Sequence, residues 1–479
     1  MATFKYQKII DDVIAQIESG SLKHRLPSVR KLAQQKQLGV STIVQAYHEL
    51  ERLGWIVAKP KQGYFVKGNT RLSEPTMAPN YGRQINRVVA GLSLDEAVQY
   101  SFNDPAILPL SCTAPSTALD CELLLNKLHK QAIKRRPYKL WMQDPIEGIA
   151  ELRHAICMHL QSSGQHFTAD NVLITNGRQE GLMVALHAAL ALKAPIAVES
   201  PMSFYFQATL KQFNADVIEV PMQHNFDDEL ALLTATYQRE PFSTYLVNPN
   251  FADPTGRVLS EQQKLQLIDW AVAHEVTLIE YDRGELYFGH QRPKTLACLV
   301  PADSPCKLIS IADFYDTVSP TISLGYLLCV NTVEACQFTK QVLAEEPSIA
   351  LQFMLLQMLE SGQYRKHLVQ LRQQIRFNYA QTISRLQGAL AGITGSDLYV
   401  SQPEGGPCLW FKLPDGRDSR QLWQYLIEHK LAIAPGRMFS LSANYDDYFR
   451  ITYALPWDDN MQQGVAQFAQ LLVTFLNSP

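Results

Sequence analysis

Ile9, Ile10, Val13, Ile14 and Ile17 recur at helical spacing and predict an amphipathic helix that stops at Gly20. A second helix opens at Pro27-Ser28, with Ser28 as N-cap and Val29, Leu32 and Ala33 facing inward. A third runs from Val40 to Leu53 and buries Ile43, Ala46, Tyr47, Leu50 and Leu53. Two short apolar runs follow, Trp55–Ala58 and Tyr64–Val66. The link between them, Lys59-Pro60-Lys61-Gln62-Gly63, makes the pair a β-hairpin with a basic tip. Three helices and such a hairpin compose a winged helix-turn-helix over residues 1–68.

Periodicity fades over residues 69–98, where Pro75, Pro79 and Gly82 stand among polar residues, so this stretch reads as a linker with a short helix late in it. From residue 99 apolar strands alternate with helices. The strands are Val172–Thr175, Ile196–Glu199, Val217–Val220, Thr244–Val247 and Thr277–Ile279. The helices are Gln179–Leu192, Phe204–Phe213 and Glu261–His274. Alternation of this kind predicts an α/β unit with a mostly parallel central sheet and helices on both faces, reaching to about residue 347. From Ser348 to residue 479, long helices and short strands near Cys408–Leu413 and Arg450–Thr452 predict a smaller C-terminal α+β lobe.

Composition narrows the class. At ~100–200 residues per domain, 479 residues allow two to four domains. With 46% hydrophobic and 19% charged residues, a disordered tail or a disulfide scaffold is excluded. The longest apolar candidate, Gly181–Val198, carries His187 and Lys193 and falls short of the ~18–20 clean residues of a membrane helix. Asp11 and Asp12 stand where an export signal would have its apolar core. Eight cysteines without a C-x-x-C pair fit reduced thiols in a cytoplasm, and no metal spacing is present. The net charge of −3 hides an asymmetry. Residues 1–71 hold twelve basic and five acidic residues, a net +7, which leaves −10 for the remainder. A basic head on an acidic body points to an anionic partner such as nucleic acid, the alternative being a solvated basic face.

For double-stranded DNA the third helix is the element to enter a major groove, with Ser41, Thr42, Gln45 and His48 outward. Ser28, Arg30 and Lys31 at the start of the second helix, and Lys59 and Lys61 in the wing, are placed for the backbone. A winged domain used for protein contacts is the alternative. The segments Leu26-Pro27-Ser28-Val29-Arg30-Lys31-Leu32-Ala33, Gln45-Ala46-Tyr47-His48-Glu49-Leu50 and Gln62-Gly63-Tyr64-Phe65-Val66 resemble the GntR-type winged helix. The turn before Leu26 is shorter than in that family and lacks its Pro-Gly. Leu38-Gly39-Val40-Ser41 sits about two residues late, which puts Gly39 at the N-cap and Val40 at a contact position.

The body resembles the fold type I aminotransferases, which bind pyridoxal 5′-phosphate (PLP). The resemblance is carried by Glu147–Arg153, Ile174–Glu180, Asp253-Pro254-Thr255-Gly256, Leu286-Tyr287-Phe288-Gly289, Ile433–Phe439 and Phe449-Arg450, in that order. Head and body together resemble the MocR-like subgroup of GntR regulators. That resemblance implies a homodimer whose aminotransferase-like body senses a small-molecule effector, PLP-like or amino-acid-like.

A PLP site needs a lysine for the Schiff base, a carboxylate at the pyridine nitrogen, a phosphate cradle and a stacking ring. Asn176-Gly177-Arg178, between strand and helix, could cradle the phosphate, or be an ordinary turn. Phe204 or Tyr205 could supply the ring, core packing being the commoner fate of such aromatics. Asp253 stands for the asparagine that the family uses at the ring hydroxyl, and its charge would repel the phenolate. Asp282, in Glu280-Tyr281-Asp282-Arg283-Gly284, is the surviving carboxylate for the ring nitrogen, in a segment one residue shorter than the family's. Because one step along a strand changes the face, its role depends on register. Aligned on Pro320 and Gly325, Asp316 takes the place of the family lysine and Ser323 that of a phosphate-binding arginine. Arg450 matches the arginine that grips a substrate carboxylate, with a structural ion pair as the alternative. An aspartate cannot form a Schiff base. The sequence therefore points to a cytoplasmic DNA-binding transcriptional regulator without transaminase activity. The competing readings are a regulator that holds PLP noncovalently through Asn176, Arg178, Tyr205 and Asp282, and an active transaminase or lyase using another lysine.

Overall fold

The stripe of isoleucines near the N-terminus folds as helix α1, Lys5–Glu18. It belongs to a computed structural model that describes every residue except 1–4, 19–20, 23, 53–54, 60–62, 67–93, 103, 136–144, 162–166, 190–193, 214, 391–397, 415, 443 and 478–479. Ser28, in extended conformation, caps helix α2, Val29–Lys36, by accepting from the Lys31 amide at 3.3 Å, and Gln37 closes it in the left-handed region. Helix α3 is Val40–Arg52, and Gly39 precedes it with its carbonyl accepting from the Thr42 amide at 3.0 Å. Ile9, Ile10, Val13, Leu32, Ile43, Tyr47 and Leu50 meet in one buried cluster, as the helical spacing predicts. Strands β1, Ile56–Lys59, and β2, Gly63–Val66, pair antiparallel from Ile56↔Val66 to Lys59↔Gly63. The wing also has a third strand-like segment that periodicity did not reveal. The Leu26 amide donates to the Tyr64 carbonyl and the Val66 amide to the His24 carbonyl, both at 2.9 Å. Tyr47 pins α3 beneath this ribbon: its hydroxyl donates to the Pro27 carbonyl at 2.8 Å and its ring meets Tyr64 edge-on at 4.9 Å. Burial pushes its phenol up to about 12.

The chain forms two compact units, Met1–Ile85 and Asn86–Pro479. A helix over Leu94–Ser101 straddles the linker boundary expected at residue 98; the earlier part of the expected linker, to residue 93, lies outside the described residues. The second unit is built on a seven-stranded sheet of β3 (Val172–Thr175), β4 (Ile196–Ser200), β5 (Val217–Pro221), β6 (Thr244–Asn250), β7 (Thr277–Asp282), β8 (Leu308–Asp313) and β9 (Gly325–Val330). Their order in space is β3-β9-β8-β7-β6-β4-β5. All neighbours are parallel except β9, which runs antiparallel to both β3 and β8. The sheet is thus mixed, mostly parallel, with apolar cores on both faces.

Two strands run further than their apolar runs suggest. β6 ends in buried Asn248 and Asn250, and β7 continues through Glu280, Tyr281 and Asp282. Polar side chains can extend a buried strand when each has a partner: Glu280 accepts from the Leu296 amide at 2.8 Å, and Asn250 donates to Asp282 at 2.8 Å. Gly325, at the start of β9, is required by crowding. A Cβ there would stand 2.7 Å from the Ala312 carbonyl and 3.3 Å from the Gly177 backbone. This close approach lays β9 against the start of the helix Gly177–Ala188, which begins two residues before its expected position.

A second, four-stranded antiparallel sheet contains β10 (Tyr399–Val400), β11 (Cys408–Lys412), β12 (Ala434–Pro435) and β13 (Tyr448–Thr452), in the order β10-β11-β13-β12. The long helix Gln363–Leu390 and the terminal helix Asp459–Asn477 pack on each other, and Phe468 of the latter meets Phe411 and Phe449 of the sheet edge-on. All eight cysteines are free thiols. Among the described residues no helix is long and apolar enough to cross a membrane, and no cluster of histidine, cysteine and carboxylate groups could hold a metal.

Candidate functional site

The C-terminal ends of β6, β7 and β8 converge with β13 on a buried cluster of arginines and aspartates. Asp316, three residues past β8, is 4% exposed and is gripped by Arg283, whose Nε and Nη2 both lie 2.9 Å from Oδ2. Arg178 reaches Asp313 and Asp316 at 3.5 Å while its guanidinium lies between the rings of Tyr205, at 4.9 Å, and Tyr315, at 4.4 Å. The Tyr281 hydroxyl donates to Asp313 at 3.2 Å, and the Asp316 amide donates to the other oxygen of Asp313 at 3.1 Å. Burial pushes the Asp316 carboxyl up, against the pull of Arg283, so its charge depends on that arginine.

At the other end of the cluster, Arg450 is fully buried in β13 with Phe204 and Phe439 against its guanidinium. Nη1 donates to Asp253 at 2.6 Å and Nη2 to the Ser111 carbonyl at 2.5 Å. Burial opposes ionisation of Asp253, but the Arg450 and Arg283 charges overcome it and hold the carboxyl below the usual carboxylate range. Three arginines and three aspartates thus neutralise one another. The void left between Thr113, Arg178, Tyr205, Asp253, Tyr281 and Arg283 is about 10 Å³. That is about room for one water, whereas small-molecule sites run to roughly 300–1,000 Å³.

Several expected roles are corrected by these contacts. Asp282 faces the opposite side of β7 from Asp316: it pairs with Arg292, accepts from Asn250 at 2.8 Å and takes the Gly284 amide at 3.0 Å. It is no partner for a ring nitrogen, because Tyr281, one residue back, holds the face turned to the cluster. Arg450 is committed to Asp253 and so is not open to a substrate carboxylate. Asn176 turns its amide to Glu180 at 2.7 Å and to the Glu345 carbonyl at 3.2 Å. Gly177 does open a helix beside Ser323. Arg178 and Tyr205 lie in the cluster as expected, but stacked on each other. Arg283, Tyr281, Tyr315 and Asp313 were not singled out from sequence. For Arg283 a signal existed: it shares strand parity with Tyr281, two residues before it. The described buried lysines are engaged elsewhere, Lys264 donating to Asn250 at 2.6 Å and Lys340 to Glu180 at 2.6 Å.

Asp282 leads into a second ionic network. Arg292 joins it to Glu285, which also accepts from His159 at 2.9 Å and faces Arg372 at 3.5 Å. Burial opposes the Glu285 charge, yet Arg292, His159 and Arg372 bring its pKa down to about 2. A carboxylate with a depressed folded pKa contributes stability that is fully present above its unfolded value of about 4.5 and is lost as pH falls towards 2. We expect Glu285→Gln to flatten the acid limb of the body's stability between those values, as read by urea unfolding at stepped pH. His159 also borders a cavity of about 750 Å³ edged by Glu151, His154, Met158, Glu360 and Arg365.

In the head, Ser28, Arg30, Lys31, Ser41, Gln45 and His48 are exposed and Thr42 is half-buried. Ser28 serves first as the cap of α2. Lys59 ends β1, opposite Gly63, and Lys61 lies outside the described residues. Val40, half exposed at the first turn of α3, presents an apolar side chain where a polar contact was expected of the family.

Residues 5–66 match the family described as bacterial regulatory proteins, gntR family. Residues 139–281 and 318–468 match aminotransferase class I and II. The chain is 27% identical over 483 residues to the HTH-type transcriptional regulator YdcR of Escherichia coli, covering 98% of this chain and 99% of that protein. It is 22% identical to the HTH-type transcriptional regulator NorG of Staphylococcus aureus, covering 92% and 98%. Among solved structures, the second unit is similar to Pyrococcus horikoshii kynurenine aminotransferase, with a TM-score of 0.68 and 19% identity over 84% of this chain and 100% of that one. LysN, the α-aminoadipate aminotransferase of Thermus thermophilus, solved with N-(5′-phosphopyridoxyl)-L-leucine, gives 0.66 and 20% over 80% and 98%. These relationships make PLP a plausible ligand of the fold. The residues present do not fit it: arginine and tyrosine side chains fill the space, and the buried Asp316 is held by Arg283.

Proposed function

The chain belongs to the class I and II aminotransferases and carries a GntR-family head, the pairing of the MocR-like transcriptional regulators, and from this premise we propose that it binds a double-stranded operator while its body performs no transamination. The observation that supports the reading is the buried Asp316–Arg283 ion pair in a self-neutralised cluster with about 10 Å³ of free space, and we take Asp316 as the counterpart of the Schiff-base lysine. A carboxylate cannot condense with an aldehyde, and three paired arginines offer no free cation to a phosphate.

The body instead serves as platform and sensor. Phe338 and Val342, one turn apart on the helix Val333–Leu343, are 70% and 64% exposed, apolar surface of the kind a second copy of the chain covers. A homodimer would present two heads to two half-sites. With Arg450 committed to Asp253, room for an effector lies in the cavity beside His159 rather than in the former substrate position. An effector there shifts operator affinity only by as much as it binds the two arrangements of the dimer differently.

The test uses one preparation of the full chain. It should retard the DNA upstream of its own gene, with affinity falling as salt rises, and should form no keto acid from a panel of amino acids with PLP and 2-oxoglutarate. Salt-independent DNA binding, or steady turnover, would refute the respective half of the proposal.

A further inference from the structure

We infer that Asp253 is a built-in carboxylate ligand of Arg450, filling the place of an external acid and joining the two sheets of the body without one. Asp253 follows β6 of the seven-stranded sheet; Arg450 sits in the middle of β13 of the four-stranded sheet, between Trp410 and Ala434. The third partner, the Ser111 carbonyl, comes from a stretch 339 residues away in sequence. One guanidinium therefore ties three remote parts of the chain. It is fully buried, and Asp253 is 4% exposed, so solvent screens the pair little.

The fit of this internal ligand is incomplete. Asp253 takes Nη1 and Ser111 takes Nη2, while Arg450 Nε and Ser111 Oγ are buried without a hydrogen-bond partner. A guanidinium is a planar fork suited to both oxygens of a carboxylate, and here it engages only one oxygen of Asp253. The site is thus a carboxylate receptor by its chemistry, occupied from within. Around it the sheets are joined by the Phe288 amide donating to the Glu404 carbonyl at 2.9 Å, Gly406 to Leu286 at 2.8 Å and Met202 to Phe439 at 2.9 Å. Residue 253 decides whether the receptor is internally satisfied or open to a small free carboxylate.

The inference involves neither DNA nor PLP; its failure would reopen the effector position proposed above but leaves DNA binding and the absence of transamination to their own test. Asp253→Ala removes the internal carboxylate and leaves space for an acetate-sized one. Its melting temperature should drop, and sodium acetate at about 0.1 M should restore at least about half of the loss relative to sodium chloride of equal ionic strength. The wild type and Asp253→Asn, whose position remains filled, should not distinguish the two salts. Equal melting of Asp253→Ala in acetate and chloride, or an equal acetate gain in the wild type, overturns the inference. Should Asp253→Ala not fold, the milder Asp253→Asn is read by amide hydrogen exchange. Phe288 and Gly406 amides should then exchange at least about 10-fold faster while Ile279 in β7 is unchanged. Unchanged exchange at Phe288 and Gly406 overturns it equally.

Discussion

Replacing Arg283 by alanine is expected to cost the body about 3–5 kcal/mol of unfolding free energy, the usual penalty for removing one partner of a buried ion pair. The loss comes from what is left behind. Asp316 would keep Arg178 and the Tyr281 hydroxyl, each at 3.5 Å, while burial already pushes its carboxyl up and disfavours its charge. Against a net stability of about 5–15 kcal/mol, this is a large fraction of the margin. Arg283→Met combined with Asp316→Leu should recover much of the loss, because apolar pairs of similar volume replace buried ion pairs at little cost. Urea unfolding of the wild type, Arg283→Met, Asp316→Leu and the double variant, closed as a double-mutant cycle, measures the coupling. A single-variant loss below about 1 kcal/mol would mean that the pair is not the centre of the cluster.

The largest effect on DNA binding is expected from Arg30→Ala with Lys31→Ala. Both side chains are exposed at the first turn of α2, and neither is tied up in a described ion pair. Each phosphate contact contributes about 0.9 to the slope of log affinity against log salt, so losing two lowers the slope by about 2 per head. The same relation gives roughly a 30-fold loss of affinity per head near 0.15 M salt. The loss should be similar on any DNA, because phosphates carry no sequence. Gln45→Ala should behave differently, costing about 1–3 kcal/mol on the preferred operator alone. Binding isotherms at several salt concentrations, on operator and on unrelated DNA, separate the two outcomes.

The head was legible because its helices carry a clean apolar stripe and its hairpin a turn rich in glycine, proline and lysine. The strand-like segment at His24–Leu26 was hidden because it is too short for periodicity to register; its pairing is visible only in the bonds to Tyr64 and Val66. In the body, strands buried on both faces announced themselves as apolar runs. β7 was read too short because its last residues are Glu280, Tyr281 and Asp282, and a charged residue ordinarily ends such a run. Here Leu296 and Arg292 satisfy them from outside the strand.

The sequence aligns Asp316 with the family lysine, but it does not show what surrounds that residue. Counting along β7 places Tyr281 and Arg283 on the face of Asp316 and sends Asp282 to Arg292. A motif aligned on its acids missed this. It also left Arg450 between two readings, since only the fold brings Asp253, 197 residues away in sequence, to its guanidinium.

On the reading proposed above, the aminotransferase-like body has an internal ion cluster in place of its cofactor. The most direct measurement is to mix the protein with one equivalent of PLP, follow the visible spectrum, reduce with borohydride and map any labelled peptide. The spectrum should remain that of free PLP, with no lysine labelled in stoichiometric amount. A borohydride-sensitive band tracing to a single, fully labelled lysine would contradict it.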